Sequence, residues 1–184
     1  ASYIERAREG LARLQRILTS MGEASVLEDS IRSQALKPTN LNNLLNEIFP
    51  VYRDLYPEQQ ITLLAPPSNA VVNAAPELLV QALDKLMDNA ASFTPPRGSI
   101  QLRLLEAGKH WQVQVANQGP PLPDEMGDAL FEAMVSRREP DSGDVHLGLG
   151  LHIVRLVMDH HDGMVVAENT EDGVVFTLVL PGVA

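Results

Sequence analysis

Four short stretches of this chain bring together residue types able to hold a phosphorylated ligand. In the first, Lys85 and Asn89 stand one helical turn apart and share a face. An asparagine carbonyl oxygen is a hard ligand suited to Mg2+, an ion that keeps much of its water and bridges to phosphates. In the second, Asn117 and Gly119 follow an alternating apolar run and precede Pro120, Pro121, Leu122 and Pro123. A small acceptor at a strand end can meet an exocyclic amine while a glycine keeps the backbone close to a ring. In the third, Leu130, Phe131 and Met134 stand beside Arg137 and Arg138, a pattern that suits a lid folding over an anion. In the fourth, Gly148, Leu149 and Gly150 open a helix. Paired glycines let the backbone approach phosphates, and the helix start presents free N–H groups and a positive dipole end to them. Taken one at a time, each stretch has a plainer reading. Asn89 is then a polar residue near a helix end, the second stretch a Pro/Gly turn, the third a short docked helix, the fourth a lone Gly-x-Gly.

Those residues need elements to position them. Residues 3–34 lack proline, and Ile4, Ala7, Leu11, Leu14, Leu18 and Met21 alternate steps of three and four. That is a heptad seam, either an amphipathic helix packed on its own domain or half of a dimerising hairpin, and its narrowness favours the hairpin. Residues 36–38 break this helix. Thr39 or Asn40 caps a second one, carrying Leu41, Leu44, Leu45, Ile48 and Phe49. Short strands are expected at Gln60–Leu64 and at Val71 and Val72. Pro76 begins a helix buried through Leu79, Leu83, Leu86, Met87 and Ala90 and ending near Thr94. Ile100, Leu102 and Leu104, then Trp111, Val113 and Val115, alternate as two hairpin strands. Residues 117–147 are polar and rich in proline and glycine, a length of loop that marks a functional lid or a disordered segment, with the lid placed at about 124–147. A helix from about Leu151 to His161 follows, then strands at 164–168 and 174–180. Hairpin-joined strands interleaved with helices predict an α+β fold, a two-layer α/β sandwich on a mostly antiparallel sheet, with a long N-terminal helix.

Composition narrows the function. The chain has 184 residues, 45% hydrophobic and 21% charged, a globular balance. Its formal net charge of −10 provides no basic stripe for nucleic acid and no polybasic patch for anionic lipid. It has no cysteine, which excludes disulfides, thiolate catalysis and cysteine zinc sites. The sequence does not begin with Met, so upstream segments are expected elsewhere in a longer protein.

In order and spacing, the four stretches resemble the asparagine, first glycine, phenylalanine and second glycine boxes of bacterial sensor histidine kinases. The fold shared with DNA gyrase, heat-shock chaperones and MutL-type repair proteins is the Bergerat ATP-binding sandwich. The closing stretch from His161 and Gly163 through Gly173, Phe176 and Pro181 is similar to the family's last strands. The stretch Leu130–Ser136 with His146–Leu151 is also similar to a proteobacterial subgroup found beside dedicated sortase systems. The resemblance implies residues 1–35 as the second helix of the dimerisation and phosphotransfer hairpin, truncated, and 36–184 as the ATP-binding catalytic domain. It implies that Asn89 binds Mg2+ and phosphates and that Asn117 holds the adenine amino group. Gly119 and Leu122 would line the base, Gly148, Leu149 and Gly150 the phosphates, and Phe131 the lid side of the site. Arg137 or Arg138 would reach the γ-phosphate. The activity implied is a protein-histidine kinase with ATP and Mg2+, passing phosphate to the Asp of a response regulator receiver domain. The implied setting is the cytoplasmic part of a dimeric bacterial inner-membrane protein, anchored through segments upstream.

The chain departs from the family pattern at several positions. Asn117 stands where the family has Asp, which removes charge assistance worth on the order of 1 kcal/mol. Pro121 and His146 replace glycines, and Ser92 stands where many relatives have a phosphate-binding lysine. Lys85 replaces the water-activating Glu of Bergerat ATPases and the Asn of histidine kinases. It cannot act as a base while protonated but can neutralise phosphate charge. The histidines are His110, His146, His152, His160 and His161, and none sits in a phosphoacceptor box, so this stretch alone is not expected to phosphorylate itself. His152, His160 and His161 read as packing or surface residues. The alternatives are a degenerate Bergerat scaffold that regulates without catalysis, a hydrolytic ATPase of another branch, and a serine kinase of the anti-sigma type.

Overall fold

The computed structural model describes residues 26–65, 69–123, 127–132 and 150–183. The seam from Ile4 to Met21, most of the expected lid, and Arg137, Arg138, His146, Gly148 and Leu149 lie outside the described residues. The chain divides into two units, Ala1–Gln34 and Ala35–Ala184. In the first, residues 26–32 are helical, with a one-turn ion pair from Arg32 to Glu28 at 2.6 Å.

The second unit opens with a strand where the sequence pattern alone shows only a helix break. This strand, β1 (Lys37–Asn40), pairs antiparallel with β3 (Val71–Ala74) as a small separate ribbon. Its four residues include a proline, and pairing with a partner 30-odd residues away leaves no local signature. Asn40, not Thr39, caps α1 (Leu41–Leu55): its side-chain oxygen accepts from the Asn43 N–H at 3.0 Å. The helix buries Leu41, Leu45 and Tyr52. β2 (Gln60–Leu64) follows, and α2 (Pro76–Phe93) starts on its proline as expected and buries Leu79, Leu83, Leu86, Met87 and Ala90.

The main sheet adds β4 (Ser99–Ala107), β5 (His110–Gln118), β6 (Met164–Asn169) and β7 (Gly173–Pro181), in the order β2-β4-β5-β7-β6. All neighbours are antiparallel except β2 and β4. Register puts Leu102, Val115 and Phe176 side by side, and Leu104, Val113 and Leu178 in the next buried row. The alternating residues Gln101, Arg103 and Gln114 stand on the other face. A helix α3 (Gly150–His160) packs on α2, and α2 lies over β5. This is the two-layer sandwich that the alternation predicted. After β7, Gly182 bridges to Val72, and the Val183 N–H donates to the Val71 carbonyl at 2.9 Å. The ribbon is thereby tied to the end of the sheet.

A buried histidine joins the two packed helices. The His161 Nδ1–H donates to the Val157 carbonyl at 2.6 Å, which leaves Nε2 to accept from the Ala75 N–H at 3.0 Å. Ala75 is the N-cap of α2 and offers no capping side chain of its own, so His161 serves that helix start from across the core. His161 is 3% exposed, consistent with its reading as a packing residue. Burial, the largest influence, lowers its pKa from the ordinary 6.5; the Val157 bond opposes it, His160 lowers it further and Asp162 raises it slightly, and burial prevails. The unfolded chain therefore accepts a proton that the folded chain refuses. His161's contribution to stability is complete above the ordinary histidine pKa and is lost as pH falls below it. We expect the urea midpoint to fall from pH 7 towards pH 5, and a His161→Gln variant, which cannot titrate, to flatten that slope. An unchanged slope in the variant would assign it to other groups.

Candidate functional site

Along one side of α2, Lys85, Asn89 and Phe93 follow one another at single turns. Lys85 and Asn89 are half-buried, and Phe93 is 44% exposed. Among the described residues, the Asn89 amide has no hydrogen-bond partner and the Lys85 ammonium no ion pair. A Cβ on Gly150 would lie 3.8 Å from Lys85 Cδ. The lysine stem therefore runs beside the first residue of α3. A cation at the positive end of a helix is repelled unless an anion sits between them. An anion between the two would relieve that repulsion.

The other end of the site is built where β5, α2 and β7 close on one another. Asn117 is 7% exposed and lies between Ile100 and Val174 in the sheet register. Its Nδ2–H donates to the Gln118 carbonyl at 3.0 Å. Its Oδ1 has no donor among the described residues. A buried acceptor left open is uncommon and calls for a partner. At Gly119 a Cβ would come 2.6 Å from the Phe93 carbonyl, and φ is 154°. At Gly173 a Cβ would come 1.9 Å from the Asn117 carbonyl oxygen. Glycine is required at both positions because backbone meets backbone.

Two positioning contacts escaped the sequence reading. Asn169, at the end of β6, accepts from the Leu122 N–H at 2.7 Å and donates to the Leu122 carbonyl at 2.9 Å. This pair of hydrogen bonds pins the segment after Gly119 to the sheet edge. Asn169 reads in sequence as an ordinary turn residue, and its partner is 47 positions away. We expect Asn169→Ala to free that segment and weaken ATP-analogue binding several-fold, at a stability cost of about 1–2 kcal/mol. Wild-type affinity in that variant would remove Leu122 from the site. The second contact is a ladder behind α2. Tyr52 of α1 and Tyr56, the helix's C-cap, donate to the carboxylates of Asp84 (2.8 Å) and Asp88. Burial first, and the bond to its carboxylate next, raise each phenol's pKa well above the ordinary 10.0, so both hydroxyls keep their protons. The matched spacing of four in both pairs was the available signal.

Phe131 belongs to the core. It is 4% exposed, and its ring meets Phe176 edge-on with centroids 6.2 Å apart. It lies at the end of a short 3-10 turn, Gly127–Phe131, and His152 Nδ1–H donates to its carbonyl at 3.3 Å. Among the described residues no three His, Asp or Glu side chains converge as a metal cluster. Mg2+ would be held here by the Asn89 oxygen together with phosphates and water, a donor set that suits the ion.

A two-layer sandwich with a buried acceptor at one end of a helix face and a cation beside a glycine helix start at the other is a nucleotide-binding module. Its sequence matches the family described as histidine kinase-, DNA gyrase B- and HSP90-like ATPase over residues 74–183, and the chain belongs to that family. Among curated relatives, the adaptive-response sensory kinase SasA of Rippkaea orientalis is 28% identical over 179 residues, 95% of this chain and 46% of that protein. The chain thus spans about half the length of the curated relatives it matches. Among solved structures, the catalytic domain of histidine kinase ThkA is 27% identical, with a TM-score of 0.69 over 80% of this chain and 97% of that one. ThkA in complex with the response regulator protein TrrA is 26% identical, with a TM-score of 0.71 over 98% of this chain and 51% of that one.

Proposed function

We propose that this chain is the ATP-binding catalytic part of a two-component histidine kinase. It would deliver the ATP γ-phosphoryl group to a histidine on a dimerising hairpin upstream, for onward transfer to an Asp of a response regulator. The observation that carries this reading is the open, buried Asn117 Oδ1 beside Gly119, next to the C-terminal end of the helix that carries Asn89 and Lys85. An adenine amino group would satisfy that oxygen. The triphosphate would then run along α2 towards Gly150. Similarity to the ThkA catalytic domain and to its complex with a regulator supports the reaction class and the partner.

In this reading Asn117 and Gly119 hold and accommodate the base, Leu122 closes on it, and Phe93 offers it a ring. Asn89 holds Mg2+, which when bound neutralises phosphate charge. Lys85 adds a second positive charge. Gly148, Leu149 and Gly150 supply backbone N–H groups, and Arg137 or Arg138 contacts the γ-phosphate. A neutral imidazole attacks the γ-phosphorus, the bond to the β-phosphate oxygen breaks, and ADP leaves while the ring's proton passes to solvent. A neutral imidazole needs no strong base, so Lys85 in place of a water-activating Glu suits transfer to histidine better than hydrolysis. No helix among the described residues is long and apolar enough to cross a membrane. We place the module on the cytoplasmic side of a bacterial inner-membrane parent, dimeric through its hairpin and anchored by segments outside this sequence.

Calorimetric titration with a non-hydrolysable ATP analogue, with and without Mg2+, tests the site. A separately made hairpin carrying a phosphoacceptor histidine tests the transfer in trans. Binding that requires Mg2+ and labelling of that histidine is the expected result. Absence of nucleotide binding would overturn the proposal.

A further inference from the structure

Lys85 is unpaired among the described residues, although acidic side chains flank it. On α2, at about 100° per residue, Asp88 lies about 60° to one side of Lys85 and Asn89 about 40° to the other. An aspartate three residues after a lysine is well placed for an intrahelical ion pair. The pair does not form, and the Asp88 carboxylate instead accepts from the hydroxyl of Tyr56, the C-cap of α1. The neighbouring Asp84 is held the same way by Tyr52. The two tyrosines draw both carboxylates towards α1, away from the face that carries Lys85 and Asn89.

We propose that Tyr56 is a positioning residue for phosphate binding: by holding the Asp88 carboxylate against α1, it keeps the Lys85 ammonium available to the anion at the start of α3. This rests on the reading of Lys85 as a phosphate contact. Tyr52 has the lesser part, since Asp84 adjoins Lys85 in sequence and does not share its face. The raised Tyr56 pKa keeps this donor in place through the assay range.

A double-mutant cycle on the full 184-residue chain tests the proposal, read as Mg2+-ATP-analogue affinity beside thermal melts. Tyr56→Phe should weaken affinity about twofold, the worth of the intrahelical pair it releases. Asp88→Asn, which still accepts from Tyr56 and cannot pair with Lys85, should bind at least as well as wild type. Tyr56→Phe with Asp88→Asn should bind like Asp88→Asn alone. Tyr52→Phe should leave affinity nearly unchanged. A tie that served only to hold α1 on α2 would lower melting temperature in Tyr56→Phe without this reversal, and that outcome overturns the proposal. So does wild-type affinity in Tyr56→Phe beside a weakened Lys85→Ala, which would leave the site reading standing. Unchanged affinity in both Lys85→Ala and Asn89→Ala would instead remove the site reading, and this inference with it.

Discussion

Replacing Asn89 with alanine is expected to abolish Mg2+-dependent nucleotide binding while leaving the fold intact or slightly firmer. The two halves of that expectation have separate causes. The amide makes no hydrogen bond among the described residues, so its loss strands no partner. Alanine is also the better helix former by about 0.5 kcal/mol. Among the described residues, no cluster of acids stands ready to replace it as a metal ligand. Even the groups behind a metal ligand are commonly worth roughly 10- to 100-fold in affinity, so loss of the ligand should cost on the order of 100-fold. Calorimetry with and without Mg2+, beside a thermal melt, reads both halves at once. A variant that melts at or above the wild-type temperature and still binds with Mg2+ dependence would take Asn89 out of the site.

Gly173→Ala is the substitution expected to do most damage to the whole molecule. The added methyl would sit 1.9 Å from the Asn117 carbonyl oxygen and 2.9 Å from both the Asn117 carbonyl carbon and Gln118 Cα. All three are backbone atoms, so no flexible side chain can swing away. β5 and β7 must part at the point where they hold Asn117. Overpacking of this kind costs roughly 3 kcal/mol or more. Part of that cost falls on the site, because Gly119 is also fastened there through its N–H to the Asp172 carbonyl at 3.0 Å. Gly108→Ala is the natural comparison. It lies in the β4–β5 turn at φ 64° with nothing within 4 Å of its Cβ position, and should cost only about 1 kcal/mol of backbone strain. Urea unfolding of both variants separates crowding from strain. Equal stability losses would mean that the strand junction yields more easily than the geometry implies.

The parts of this molecule that could be read in sequence are those whose cause is local. Alternation in Ile100, Leu102 and Leu104 and in Val113 and Val115 reports a sheet with one buried face. Pro76 and the Leu79–Ala90 stripe report a helix, and Asn89 and Lys85 fall on its margin by spacing alone. The features that escaped are set by partners distant in the chain. β1 exists only because β3 pairs with it, and the parallel contact of β2 with β4 requires α2 to cross between them. Asn169 takes its meaning from Leu122, and His161 from a helix start 86 residues earlier. The glycines show the same division. Gly150 follows from a motif, while the need for glycine at Gly173 appears only when β5 lies beside it.

The position of β7 in the sheet has a consequence for how the chain comes off the ribosome. It pairs on one side with β5 and on the other with β6, and both precede it in sequence. Until it is synthesised, β4 and β5 can close as a hairpin, but the Asn117 edge of β5 stays unpaired and β6 has no partner at all. Cooperative closure must wait for pairings of long sequence separation, which are slow to form. The nascent chain therefore carries an exposed edge strand from the completion of β5 at Gln118 until β7 begins at Gly173. Synthesis that stalls within residues 150–172 should yield a species prone to strand-mediated association, with β7 supplied in trans as its natural remedy.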